Sequence, residues 1–142
     1  MLFPKKVKHR KWQTARRNPN KVRVESRGTV VSHGSYGLKA MSEERIKSNQ
    51  IEAARRVISR SLGKTGRIWI RIFPDRPYTQ KAAEVPMGKG KGDPQYFVCE
   101  VLPGRVLFEV DGVPRATAEL ALTKAGKKLP VKTKFVTREG VA

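Results

Sequence analysis

In the stretch MGKGKGDP, Met87–Pro94, three glycines stand at alternate positions with Lys89 and Lys91 in the gaps. Glycine lets backbone N–H groups approach a ligand closely, and lysine neutralises charge there, so the pattern suits contact with phosphate. It does not fit a nucleotide-binding loop. A P-loop needs G-x-x-x-x-G-K-[ST] ahead of a helix, whereas here no Ser or Thr follows the lysines and the residues after Pro94 read as a strand. The dinucleotide fingerprint fails as well, because the spacing is G-x-G-x-G and the helix is missing. A neutral linker would not carry lysine in its gaps. The stretch reads as a loop tip that reaches a polyanion.

Other chemistry has little to work with. His9 and His33 are the only histidines and Cys99 is the only cysteine, so no zinc spacing and no intrachain disulfide can be drawn. A reducing compartment is acceptable on that count. Cys99 reads as a small buried hydrophobe, and His33, beside Gly34 in a turn, as a surface or RNA-facing residue. Glu84 and Asp93 flank the glycine loop, but two acids without a cleft are not a catalytic arrangement. The expectation is no enzyme, no metal and no cofactor.

Charge supplies the stronger signal. Lys plus Arg number 31 against 12 Asp plus Glu in 142 residues, a formal net charge of +19. Such a chain repels itself unless a polyanion sits beside it, and nucleic acid is the leading candidate. A membrane partner is not expected, since no apolar run approaches the roughly 18 residues of a spanning helix. The basic start MLFPKKVKHRKW lacks the apolar segment of a secretory signal, and Pro4 and Pro19 interrupt the amphipathic helix a transit peptide would need. Residues 1–27 hold ten cations and one acid, Glu25, with few apolar residues to form a core. They read as an arm that orders on a phosphate backbone rather than a unit that folds alone.

The positioning elements follow in order. Gly28–Met41 reads as two short strands joined through HGS. Ser42 then reads as a helix N-cap, with Glu43 and Glu44 complementing the dipole of the helix that follows. On that helix Ile46, Ile51, Ala54, Val57, Ile58 and Leu62 share one face, Arg45, Asn49, Arg56 and Arg60 the other, and Gly63 ends it. RIWIRIF, Arg67–Phe73, alternates as a central strand. Its isoleucines face the core; its second row, Arg67, Trp69, Arg71 and Phe73, suits stacking and phosphate contact, or burial of the aromatics under a second layer. Pro74–Pro94 has four prolines and no apolar period, and reads as one long irregular loop. Gln95–Val110 reads as a hairpin turning at Pro103-Gly104. Pro114 opens a second helix with Ala118, Ala121, Leu122, Ala125 and Leu129 on its apolar face. Pro130 breaks it, and Val131–Thr137 makes the last strand. The expected fold is α+β, mixed strands packed with two helices, and no internal repeat. The organisation is a basic extended arm (1–27), one domain (28–138) that includes the long loop 74–94, and a short tail (139–142).

Taken together, QIEAARR (Gln50–Arg56), GRIWIRIFPDRP (Gly66–Pro77), MGKGKG (Met87–Gly92) and KLPVKTKFV (Lys128–Val136) resemble the bacterial L-sixteen family of large-subunit ribosomal proteins, the counterpart of archaeal and eukaryotic L-ten-e. The resemblance runs from PKKVKHRK almost to the C-terminus. It implies an α/β-hammerhead type of fold embedded in large-subunit rRNA, with neighbouring ribosomal proteins as further partners, in the cytoplasm or in an organelle. It also implies a loop tip, Met87, Gly88, Lys89, Gly90, Lys91 and Gly92, pointing at A-site and P-site tRNA near the peptidyl transferase centre. The cations expected on rRNA are Lys5, Lys6, Lys8, Arg10, Lys11, Arg16 and Arg17 of the arm, with Arg45, Arg55, Arg56, Arg60, Arg67 and Arg71 of the domain. Many bacterial relatives have arginine, an oxygenase-modified site in some of them, where this chain has Pro86, so that modification is not implied here. A free-standing nucleic-acid-binding regulator is the alternative, although no helix-turn-helix, zinc-finger or RNP signature is present.

Overall fold

The computed structural model describes residues 2–12, 23–80, 91 and 93–140. Its elements run β1 (Tyr36–Ala40), β2 (Glu44–Lys47), α1 (Ser48–Leu62), β3 (Arg67–Ile70), β4 (Arg76–Gln80), β5 (Asp93–Val101), β6 (Val106–Asp111), α2 (Arg115–Gly126) and β7 (Thr133–Thr137). The expected α+β class is what forms, as two antiparallel sheets. The larger has the order β3-β6-β1-β7 and the smaller β2-β5-β4.

The apolar periodicities account for the core. Ile51, Ala54, Ile58 and Leu62 of α1 meet Ala118, Ala121, Leu122 and Ala125 of α2, all buried, in one cluster with Leu38, Phe108 and Val110 of the larger sheet. Leu129 and Val131 close it beyond the end of α2. Strand β6 is buried from Val106 through Val110, as befits a strand between two neighbours and covered on its faces. Gly63, at φ 68°, ends α1 as expected and donates its N–H to the Ser59 carbonyl.

Five expectations need correction. Helix α1 begins at Ser48, not after Ser42: Glu44–Lys47 is a strand, because Ile46 fills the core opposite Cys99 only in an extended chain. Ile46 and Arg45 therefore leave the helix, and the Lys47 N–H is accepted by the Gln50 side chain at 2.9 Å. Gly28–Met41 yields one strand, β1, because the backbone donors of Ser32, His33 and Gly34 are taken by a side chain, that of Glu109. The strand Arg67–Ile70 is an edge of its sheet, not its centre, and regular structure stops before Phe73. The loop 74–94 is not irregular throughout: Arg76–Gln80 pairs with β5. Lastly, β5 and β6 flank a turn at Pro103-Gly104, with Gly104 at φ 104° and the Arg105 N–H on the Leu102 carbonyl, yet they enter different sheets and form no hairpin.

Candidate nucleic-acid interface

Strand register assembles a cation-rich face on the smaller sheet. Residues opposite one another in an antiparallel pair share a side, and the pairs are Arg45 with Glu100, Lys47 and Arg76 with Val98, and Tyr78 with Tyr96. One side of this sheet therefore carries, among the described residues, Arg45, Lys47, Arg76, Tyr78 and Tyr96 around the acid Glu100. The Glu100 carboxylate aligns Arg45 at 3.2 Å and Arg76 at 2.6 Å. Tyr78 and Tyr96 stack with centroids 4.9 Å apart and planes 8° from parallel, and the Lys47 ammonium lies 4.5 Å over the Tyr96 ring. Trp12, from the N-terminal arm, stands 5.5 Å from the Arg76 guanidinium. Alternating cations and rings of this kind can neutralise phosphate and stack on bases together.

The N-terminal segment reaches Lys91 of the glycine–lysine stretch. Lys5, Lys6, Lys8 and Arg10 are exposed, and Lys11 donates its ammonium to the backbone carbonyl of Lys91 at 3.1 Å. Of the other residues expected here, Arg16, Arg17, Met87, Gly88, Lys89, Gly90 and Gly92 lie outside the described residues.

A second basic surface follows the outer side of α1. Arg56 and Arg60 are exposed and Arg55 half-buried, with Glu52 one turn earlier paired to both Arg55 and Arg56. The Arg55 hydrogen bond, against some burial and with the help of the Arg56 charge, holds the Glu52 carboxyl at a pKa of about 2. The same bond raises the Arg55 pKa. Glu52 thus stays ionised at any physiological pH and pre-sets two guanidinium groups. Arg67 is exposed at the edge of the larger sheet.

Arg71 is placed differently from the other expected cations. Its guanidinium binds the Glu109 carboxylate and the Val30 carbonyl, the latter at 3.3 Å. Glu109 is fully buried, and its second oxygen accepts the N–H groups of Ser32 at 2.8 Å, His33 at 2.7 Å and Gly34 at 3.1 Å. Burial alone pushes the Glu109 pKa up, but Arg71 and the N–H groups of Gly34 and His33 outweigh it and hold the pKa below its ordinary value. Gly34 is needed there, since a Cβ would come within 2.5 Å of the Val110 carbonyl oxygen. The turn so fixed sets the exposed His33 ring against the half-buried Trp69, centroids 6.1 Å apart.

Sequence reasoning missed Lys47, Arg76, Tyr78 and Tyr96 as site candidates. A signal existed in the i, i+2 spacing of Arg45/Lys47 and of Arg76/Tyr78, but Pro74 and Pro77 concealed the second behind loop-like composition.

A basic α+β protein that gathers cations and rings on a sheet face and a helix face, with no metal-holding group among the described residues, belongs to the class built for a polyanionic partner. The family is defined by comparison: the model for "Ribosomal protein L16p/L10e" matches residues 4–136, and the chain belongs to that family. It is a family of structural ribosomal proteins rather than enzymes, as expected from the sequence. The chain is 56% identical over 140 residues to large ribosomal subunit protein uL16 of Sphingopyxis alaskensis, covering 99% of this chain and 95% of that protein. It is 51% identical to the uL16 of Gluconacetobacter diazotrophicus over the full length of both chains. With the Rhodopseudomonas palustris uL16 it shares 52% over 138 residues, 97% of this chain and 98% of the relative.

Proposed function

We propose that this chain is a structural constituent of the large ribosomal subunit in the cytoplasm. It binds large-subunit rRNA through its arm, residues 1–27, and through the α1 arginines. It touches neighbouring large-subunit proteins, and it directs the stretch Met87–Gly92 toward A-site and P-site tRNA. The observation that carries this reading is the family match across residues 4–136 together with relatives named large ribosomal subunit protein uL16 that span the chain end to end. The bond from Lys11 to the Lys91 carbonyl supports the tRNA-facing part, because it joins the arm to the loop and would let rRNA anchoring position the tip. The charge of +19 supports the rRNA part, since phosphate contact is its simplest neutralisation. The test is sedimentation of the tagged chain through a high-salt sucrose gradient from a lysate of its own cells. Migration with the large subunit is expected; a chain left at the top of the gradient would return the reading to a free-standing regulator.

A further inference from the structure

The interface contains a cleft of about 110 Å³ lined by Trp12, Arg45, Arg76, Pro77, Tyr78 and Thr79. It is far below the roughly 300–1,000 Å³ of small-molecule sites. Its walls carry two aromatic rings that are well exposed, Trp12 at 40% and Tyr78 at 36%. Each ring is backed on one side: Trp12 by the Arg76 guanidinium, Tyr78 by the parallel Tyr96 ring, which Lys47 caps in turn. Rings held this way lose little freedom when a further flat group stacks on them. Arg45, fixed by Glu100, stands at the rim beside them.

We propose that this cleft takes the base of one unpaired nucleotide of the large-subunit rRNA, stacked between Trp12 and Tyr78, with its phosphate held by Arg45. The inference rests on the rRNA-binding reading above and adds the form of RNA that is read. A duplex offers phosphates and sugar edges but no free ring face, so the rings discriminate against it, whereas bases in loops and bulges can be splayed out and stacked. Charge complementarity favours a polyanion over an apolar protein segment, because two cations, Arg45 and Arg76, line the cleft and share one acid, Glu100. The arm contributes Trp12, so the cleft is complete only when the arm lies across β4.

The test uses the full chain and two fluorescein-labelled RNAs, a single-stranded uridine octamer and a hairpin stem with the same number of phosphates. Anisotropy titrations are run on the wild type, on Trp12→Ala/Tyr78→Ala and on Trp12→Phe/Tyr78→Phe, with circular dichroism to show that each is folded. Tyr78→Ala alone replaces the double variant if that fails to fold. The alanine variant should bind the octamer roughly 5- to 150-fold more weakly per stacked base lost. Its hairpin affinity should stay within about twofold, since no charge is removed. The phenylalanine variant should restore octamer binding, because it keeps the stacking faces. Equal loss for both RNAs, no loss for either, or failure of phenylalanine to restore binding overturns the nucleotide site while leaving phosphate binding intact. Wild-type protein that binds neither RNA overturns the rRNA reading itself. Displacement of the octamer by polyglutamate at a lower concentration of charges than unlabelled octamer needs overturns the nucleotide site in favour of an acidic protein partner.

Discussion

Glu109 accepts the backbone N–H of His33 at 2.7 Å from 76 positions further along the chain. A side chain here does what a neighbouring strand would otherwise do, and the segment before β1 is held by a carboxylate instead of a ladder. Arg71 neutralises that carboxylate from the other side. Breaking a buried pair by removing one partner leaves an uncompensated charge, at a cost of about 3–5 kcal/mol. Arg71→Met should therefore lower stability by that amount in urea titrations and release the turn at Ser32–Gly34. A loss under about 1 kcal/mol would mean the guanidinium is not the counter-charge.

The same pair has a pH signature. The Glu109 pKa is depressed in the folded chain, so its stabilisation is complete above the ordinary carboxylate range, about 4.3. It is lost as pH falls through the lower folded value. Wild-type stability should therefore decline on acidification below about pH 5. Glu109→Gln should be less stable at neutral pH, with a flatter acid limb. Parallel acid limbs for the two proteins would exclude Glu109 as the titrating group.

Cys99 is 7% exposed, and burial pushes its thiol up to about 11. Almost no thiolate exists at pH 8, and the thiolate is the reactive form. Ellman's reagent should therefore modify the folded chain far more slowly than the urea-unfolded one. Equal rates would mean that β5 is open in solution.

The arm should make binding steeply dependent on salt. If it engages about six phosphates of duplex rRNA, log K falls against log salt with a slope near −5, at about −0.9 per contact. Replacing Lys5, Lys6 and Lys8 together by alanine should flatten that slope by about 3. An unchanged slope would place the binding charge elsewhere, on the α1 arginines.

On the proposed reading of Met87–Gly92 as a tRNA-facing tip, Lys89→Ala with Lys91→Ala should leave the fold and subunit incorporation intact. A-site tRNA should then bind less tightly by about 1–3 kcal/mol, the worth of lost charge-assisted hydrogen bonds. Purified ribosomes carrying the double variant would be assayed for A-site tRNA affinity and peptide-bond formation. Normal values at full occupancy would reduce the glycine–lysine stretch to a linker.

The buried residues Ile51, Ala54, Ile58 and Leu62 of α1 and Ala118, Ala121, Leu122 and Ala125 of α2 were readable from the sequence because a 3.6-residue period is local, although the same period drew in Ile46 of β2 and Leu129 beyond α2. So were the Gly63 stop and the turn at Pro103-Gly104, where residue type dictates backbone geometry. Strand partnership was not, because it depends on residues far apart. Nothing near Gln95 says that β5 joins β2 and β4 while β6, a few residues on, joins β1 and β3. Short strands with proline, as in β4, lose the alternation that would announce them. Arg71 and Arg45 look alike in the sequence, and only the fold turns one to a buried carboxylate and leaves the other on a surface.

The sheet order has a consequence for synthesis. Strand β1 is paired on one side with β6 and on the other with β7, which ends at Thr137 of 142 residues. While the chain emerges, β1 waits for about seventy further residues before its first partner arrives. Pairings so distant along the chain form slowly, and an unpaired strand edge invites other nascent chains in the meantime. The basic residues ahead of β1 are made before any strand and stay cationic throughout, so newborn copies repel one another until β7 closes the sheet.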